Sequence, residues 1–488
     1  MDHLRFCLND RWIDLKDISP TTTVLRYLRD HAHLTATKEG CAEGDCGACT
    51  VAVAEERPDG KRTYRAINAC LLLLPMVQGK RVYTAEALKR NGEYHLVQRA
   101  MAENLGSQCG YCTPGIVMAL FEACYRDDLD QPWKIDAQMA GNLCRCTGYR
   151  PIRAAANEVA GKRPDDHFAQ ALGPGVKDEP MQLAYTSPHT QQRYYNPATF
   201  EELWDVLDRE PEARIVAGGT DLSLEVTKRY ADPPVLVSLE AIAGLKGVRP
   251  GAGGGHVFGA TTPVTDLEDW ASAHSPPLER MLRYFGARAI KNRATVGGNL
   301  CNASPIGDLA PVLIALGAEA VLRSRAGERR MPLEDFFVAY RKTALEPKEI
   351  LAGVKVPPLP PHARVSAYKV SKRRELDISA VSAGLCVTVD PTSRRVTSAR
   401  LAYGGMAATP ARARKTEAAL VGQVWTEDSV LAAAKQLAED FTPLSDHRGS
   451  APYRALVARN LLLGFFEETK AQPCPRLPHP HTATVEVR

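Results

Sequence analysis

Cysteines are the residues of this chain whose number and spacing could do chemistry. There are thirteen in 488 residues, and nine of them precede Cys146. Cys41, Cys46 and Cys49 have the spacing C-x4-C-x2-C, and Cys70 follows further along the chain. This is the plant-type ligand pattern for a 2Fe-2S cluster, in which four thiolates converge from a tight loop. Gly40, Gly44 and Gly47 would let that loop turn closely enough to aim N–H groups at the sulfurs. Four cysteines also suit tetrahedral zinc, but zinc sites usually pair two short hooks rather than one three-cysteine loop and a distant fourth ligand. Cys109-Gly110-Tyr111-Cys112 and Cys144-Arg145-Cys146 form a second constellation, each hook at a turn that meets an expected helix. Pro114 and Pro151 suit first helical turns, where free N–H groups and the helix dipole offset anionic charge. A second 2Fe-2S cluster is expected there. Cys7, Cys124, Cys301, Cys386 and Cys474 have no partner at useful spacing and read as buried free thiols.

The elements that must position these ligands follow from periodicity. Residues 3–14, with Asn9-Asp10 between apolar runs, predict a hairpin, and 22–32 an amphipathic helix. Segments 50–55, 63–68 and 81–84 alternate as strands, so a small sheet closed over one helix, a ubiquitin-like grasp, is expected. From His95 the period becomes 3.6, predicting helices over 95–104, 114–125 and 151–160 with cysteine turns between them. Residues 161–192, rich in Pro, Gly, Asp and Lys, have the composition of an exposed linker, and the main boundary is expected there. Beyond Tyr194 helix and strand alternate, as in 200–209 followed by 215–217, which predicts an α/β domain. Strands over 379–389 and 400–403, then helices near 411–420, 429–441 and 453–466, predict a smaller C-terminal unit.

The expected class is thus a multidomain α+β chain. A ferredoxin-like β-grasp domain (1–88) and an all-helical 2Fe-2S domain (89–165) lead through a linker (166–192) to an α/β domain (193–360), whose FAD-binding character is implied by a family resemblance rather than by this pattern. A subdomain with an antiparallel sheet and helices (361–470) and a flexible tail (471–488) complete it. Net charge is only +4, so no electrostatic footprint for nucleic acid is expected. The longest apolar run, 69–77, contains a proline and falls short of the roughly 20 residues of a spanning helix. With no signal-peptide pattern and an odd cysteine count, a soluble protein in the reducing cytoplasm is expected.

The phosphate-binding signals are weaker. Ile215-Val216-Ala217-Gly218-Gly219-Thr220-Asp221-Leu222 reads as a strand ending in a glycine turn whose bare backbone can approach a pyrophosphate. Thr295-Val296-Gly297-Gly298-Asn299 is a second such element, and two loops of this kind could clasp the two phosphates of a dinucleotide. A G-x-G-x-x-G fingerprint is not found, so no Rossmann fold is implied.

CAEGDCGACT from Cys41, SQCGYCTPG from Ser107 and GNLCRCTGYRPI from Gly141 closely resemble the iron-sulfur region of the molybdenum hydroxylases. IVAGGTDL, ATVGGNLCNASPIGD, FFVAYRKTALEPKEIL and YKVSKRRELDIS resemble the FAD domain of its xanthine-oxidising branch. The resemblance implies Phe285 at the flavin or its adenine, Asp308 on a polar group of the cofactor, and Leu351 and Lys369 lining the ring pocket. By themselves these residues read as core, helix cap and solvated strand. It also implies Tyr340, Arg341, Arg374 and Asp377 near NAD, although the run Lys372-Arg373-Arg374-Glu375-Leu376-Asp377 alone reads as a solvated turn. Some members of the family carry a carboxylate where Leu376 stands. Finally, the resemblance implies a large partner subunit holding the molybdopterin, a dimer of heterodimers, and NAD as acceptor.

Overall fold

The computed structural model describes residues 3–57, 59–176, 178–374 and 376–474; the tail beyond Cys474 lies outside the described residues. The chain divides into two compact units, residues 1–244 with 287–294, and residues 245–286 with 295–488.

In the first unit, β1 (Leu4–Leu8) and β2 (Arg11–Leu15) pair as a hairpin. Asn9 and Asp10 both take positive φ at its turn, as a two-residue connection of this hand demands. Strands β3 (Thr50–Glu56), β4 (Arg62–Asn68) and β5 (Arg81–Tyr83) complete a five-stranded sheet of order β2-β1-β5-β3-β4. The helix expected over 22–32 forms as α1 (Val24–Arg26), capped by Thr23, and continues as a π turn over Tyr27–His31. Its buried residues Val24, Leu25 and Leu28 join Phe6, Val51 and Leu73 in one core.

Four helices follow: α2 (Leu96–Glu103), α3 (Thr113–Tyr125), α4 (Pro132–Met139) and α5 (Arg150–Val159). Helix α3 is apolar all round, and its residues from Gly115 to Tyr125 are all buried, as a central helix requires. Helix α4 has a weak apolar stripe and was not expected from periodicity.

Residues 161–192 are not the exposed spacer their composition suggests. Helix α6 (His167–Gln170) drives Phe168, 2% exposed, into an aromatic cluster with Tyr83, His95 and Phe121. Strand β6 (Leu183–Thr186) buries Tyr185, whose hydroxyl donates to the carbonyl of Ile18 and accepts from its N–H, both at 2.8 Å. Two aromatic side chains decide the outcome here, because burying each outweighs the loop propensity of the Pro and Gly around it.

Strand β6 pairs with β7 (Arg193–Asn196), and after α7 (Phe200–Arg209) the strand β8 (Arg214–Val216), helix α8 (Leu222–Arg229) and strand β9 (Val235–Ser238) complete a sheet of order β6-β7-β9-β8. Its β7-β9 and β8-β9 pairs are parallel. Segment 287–294, with the helical turn Arg288–Lys291, also belongs to this unit.

The second unit departs from the α/β expectation. Its larger sheet, Val248–Pro250, His256–Gly259, Ile350–Val356, Glu319–Ser324 and Gly327–Pro332 in that spatial order, is antiparallel throughout. A second antiparallel sheet orders Ala363–Val370, Val381–Val389, Val396–Gly404 and Ala411–Arg412. Its core includes Leu385, Leu401 and Tyr403 together with Leu420, Val430 and Phe465 from the C-terminal helices. Among the described residues no helix is long and apolar enough to cross a membrane.

Candidate cluster and flavin sites

The first four cysteines meet around the loop between α1 and β3. The Cys41 sulfur accepts hydrogen bonds from the Cys46 and Cys70 thiols, and Cys49 also bonds to Cys70. Backbone N–H groups of Asp45, Cys46 and Glu43 point at the same sulfur at 3.2, 3.4 and 3.5 Å. These donors hold the Cys41 thiol far below its ordinary range, with Cys46 first and Cys70 second, while Cys46 and Cys70 are pushed up. A loop that aims several N–H groups at one sulfur suits a thiolate-ligated cluster, whose negative charge those donors stabilise. Cys49 and Cys70, each 2% exposed, are also members of the sheet's core.

The second four pair as Cys109 with Cys146 and Cys112 with Cys144. Cys112 is the N-cap of α3, and the Cys144–Cys146 turn leads through Tyr149, at φ 65°, into α5. Burial pushes the Cys112 thiol up to about 12, helped by its bond to Cys144. Cys144 is held below its ordinary value, since bonds from Thr147 outweigh the effect of burial. Its backbone N–H donates to the Tyr149 hydroxyl at 2.9 Å. Cys109 and Cys146 are exposed. No three His, Cys, Asp or Glu side chains among the described residues are grouped to hold a single metal ion.

The two cysteine sets are joined by main chain. Leu143 N–H donates to the carbonyl of Cys46 at 2.9 Å, and Asn142 Nδ2 to that of Gly47 at 3.1 Å. Glycine is needed at this junction, because a Cβ on Gly115 of α3 would lie 2.1 Å from the Gly47 carbonyl oxygen. Glu122, also on α3 and fully buried, draws four donors together. It accepts from Ala66 N, Gln138 Nε2, Arg288 Nε and Asn292 Nδ2 at 2.9 to 3.2 Å. Burial alone would raise its carboxyl, but Arg288, Arg126 and these bonds outweigh that and hold it below its ordinary value. Sequence reasoning passed over Glu122, although one carboxylate in an otherwise apolar helix was a signal.

The candidate flavin turns fall one in each compact unit. In the first, Gly218 and Gly219 join β8 to α8, whose first-turn N–H groups point back toward the turn. Gly218 has a packing reason to be glycine, since its Cβ would lie 1.7 Å from the Arg293 carbonyl oxygen. Val216 is buried, Ile215 is 38% exposed and Asp221 is the N-cap of α8.

In the second unit, Thr295 caps the helix Val296–Cys301, its hydroxyl accepting from Gly298 N at 3.0 Å. Asn299 Oδ1 is buried and has no hydrogen-bond partner among the described residues, an orphan acceptor that a bound polar group would satisfy. Asp308 and Lys369 are brought together: Lys369 Nζ donates to Asp308 Oδ2 at 2.8 Å, and Ser379 Oγ bonds Asp308 Oδ1. The solvated reading of Lys369 is therefore corrected, as its side chain is 4% exposed. Leu351 is buried in strand Ile350–Val356, and Phe285 is half-buried.

Tyr340, 64% exposed, and Arg341, at φ 54°, form the tip between Phe337–Ala339 and Lys342–Thr343. Arg374 lies over the Tyr284 ring. Asp377 accepts from Arg373 N at 2.8 Å and Ile378 N at 3.0 Å, a local turn, and Glu375 lies outside the described residues. Of the unassigned cysteines, Cys7, Cys124 and Cys386 are buried as expected, Cys301 is intermediate, and Cys474 is exposed.

Two thiolate sets and an orphan acceptor beside a glycine turn describe an iron-sulfur flavoprotein. Four family models match in sequence: a 2Fe-2S iron-sulfur cluster binding domain over residues 8–74, a second 2Fe-2S binding domain over 84–157, the FAD binding domain in molybdopterin dehydrogenase over 188–359, and the CO dehydrogenase flavoprotein C-terminal domain over 366–469. Xanthine dehydrogenase of Emericella nidulans is 34% identical over an alignment taking in 95% of this chain and 38% of the relative. The chain thus spans about two fifths of the length of the curated relatives it matches. A solved CO dehydrogenase chain from Oligotropha carboxidovorans is 27% identical with a TM-score of 0.53, covering 57% of this chain and 97% of that one. For quinoline 2-oxidoreductase from Pseudomonas putida 86 the values are 28%, 0.52, 57% and 95%. The chain thus carries the iron-sulfur and FAD-binding modules found in molybdenum hydroxylases and is homologous to xanthine dehydrogenase and CO dehydrogenase.

Proposed function

We propose that the chain is the electron-transfer subunit of a xanthine dehydrogenase. Electrons from purine hydroxylation on a partner subunit holding the molybdopterin would enter at the cluster of Cys109, Cys112, Cys144 and Cys146. They would continue through that of Cys41, Cys46, Cys49 and Cys70 toward FAD and NAD. The observation that carries this reading is the Leu143 N–H to Cys46 carbonyl bond, which links Cys46 of one set to Cys144 of the other through one hydrogen bond and the Leu143–Cys144 peptide bond. FAD, when bound, supplies the conversion between one-electron carriers and a two-electron hydride acceptor. Residues 215–222 and 295–299 would hold it, with Phe285, Asp308, Leu351 and Lys369 around it; Asn299 Oδ1 is free to accept from a polar group there. No substrate carbon is oxidised on this chain.

The β2-β1-β5-β3-β4 order supports reading the first module as a β-grasp. Cytoplasmic residence, the dimer of heterodimers and the division at residues 88, 165, 192, 360 and 470 are part of the same proposal. The direct test is to purify the chain with its native partner and measure xanthine-dependent NAD reduction. Reduction of dye but not NAD would remove NAD as acceptor, and turnover of another heterocycle in place of xanthine would favour a relative of the quinoline 2-oxidoreductase type. Tyr340 is exposed at the tip of its turn. Tyr340→Ala should therefore slow NADH formation roughly tenfold or more while leaving purine-to-dye turnover intact; equal loss of both activities in steady-state assays would refute its place near NAD.

A further inference from the structure

We propose that Lys228 sets the reduction potential of the cluster held by Cys41, Cys46, Cys49 and Cys70; the inference rests on the cluster reading above and deepens it. Helix α8 begins at the glycine turn and ends against the first cysteine loop. In its last turn, Lys228 Nζ donates to the carbonyl of the ligand Cys41 at 3.0 Å and pairs with Glu43 at 3.1 Å. In its first turn, Ser223 Oγ donates to the carbonyl of Leu71, the residue after the ligand Cys70, at 2.8 Å. The helix is thus pinned to both ends of the ligand set, and Lys228 is placed rather than free.

Reduction adds one electron, and hence one negative charge, to a group already bearing four thiolates; no bond to the protein forms or breaks. Three N–H dipoles converge on the Cys41 sulfur, and Lys228 adds a full positive charge at the same residue. A fixed cation there favours the reduced state. Glu43 acts in the opposite sense, so removing Lys228 also leaves that carboxylate uncompensated. The lysine side chain is 45% exposed, which makes its influence sensitive to salt.

The experiment is an electron paramagnetic resonance redox titration, with dithionite as reductant, of the whole chain and of Lys228→Met, Lys228→Arg and Glu43→Gln. Lys228→Met should weaken reduction of the first cluster by roughly three- to tenfold, tenfold being about 59 mV for a one-electron couple. Lys228→Arg should leave it near native, and Glu43→Gln should shift it the other way. The Lys228→Met difference should shrink in about 1 M salt, where the Debye length is about 3 Å. The second cluster is the internal control. Two clusters with unmoved potentials in both Lys228→Met and Glu43→Gln would overturn the role of Lys228. A native chain that shows no cluster signal would overturn the cluster reading itself. If Lys228→Met fails to assemble the first cluster, the sign of the Glu43→Gln shift decides.

Discussion

The two cysteine sets differ in how they relate to the fold. In the first, Cys49 and Cys70 are part of the hydrophobic core, each 2% exposed, and Cys70 directly precedes the buried run Leu71 to Leu74. In the second, Cys112 and Cys144 face inward while Cys109 and Cys146 are exposed. Ligands embedded in a core make cofactor assembly and folding one process. Ligands at helix ends with an open edge leave the helices able to stand without the group and present it to a partner. On the proposed electron path the first set would be the protected, internal carrier and the second the entry point.

The largest effect expected from this contrast is that of Cys70→Ser. It should abolish the first cluster signal and destabilise the chain by several kcal/mol, because a bound cofactor's free energy becomes folding free energy and a hydroxyl replaces a core thiol. Iron content and thermal unfolding check it together, and a variant lacking the first cluster with native melting would break the comparison.

Next comes Glu122→Ala, which leaves Arg288 and Asn292 facing a vacated buried site and should cost about 3–5 kcal/mol in denaturant titration. Its pH dependence has a definite sign. The folded carboxyl lies below its ordinary 4.5, so its contribution is complete above that pH and is lost as the pH falls through the folded value. The stability gap between native and Glu122→Gln should therefore narrow on acidification below about pH 4.5; a gap that widens would contradict the pairing.

Gly115→Ala should cost about 1–3 kcal/mol by overpacking the Gly47 carbonyl and should weaken the magnetic interaction between the two reduced clusters. A native spectrum would show that the junction does not set their spacing. The smallest stability effect should come from Cys146→Ser, within about 0.5 kcal/mol for an exposed position, apart from loss of the second cluster signal. Collapse of the helices in circular dichroism would erase the distinction between the two sets.

Much of the first unit was legible from sequence because its signals were local. The C-x4-C-x2-C loop, the Asn9-Asp10 turn and the apolar α3 each carry their own spacing or composition. What escaped depended on long-range pairing. Phe168 and Tyr185 anchor a stretch whose composition says linker, and their partners Tyr83 and Ile18 are far away in the chain. The Lys369–Asp308 pair spans 61 residues, and no local pattern distinguishes that lysine from a solvated one. The alternation of helix 200–209 with strand 215–217 encouraged an α/β expectation, which the parallel β7-β9 and β8-β9 pairs match locally, but register between distant antiparallel strands such as Glu319–Ser324 and Ile350–Val356 is not written in either segment alone. The flavin turns were the least specific, since packing against Arg293 already explains Gly218.

The most direct measurement of the account is the iron, acid-labile sulfide and flavin content of anaerobically purified chain, read beside its electron paramagnetic resonance spectrum after reduction. About four irons and four sulfides per chain, one flavin and two distinguishable 2Fe-2S signals are the result predicted. Colourless protein with zinc in place of iron, and no recovery on reconstitution with iron and sulfide, would contradict it.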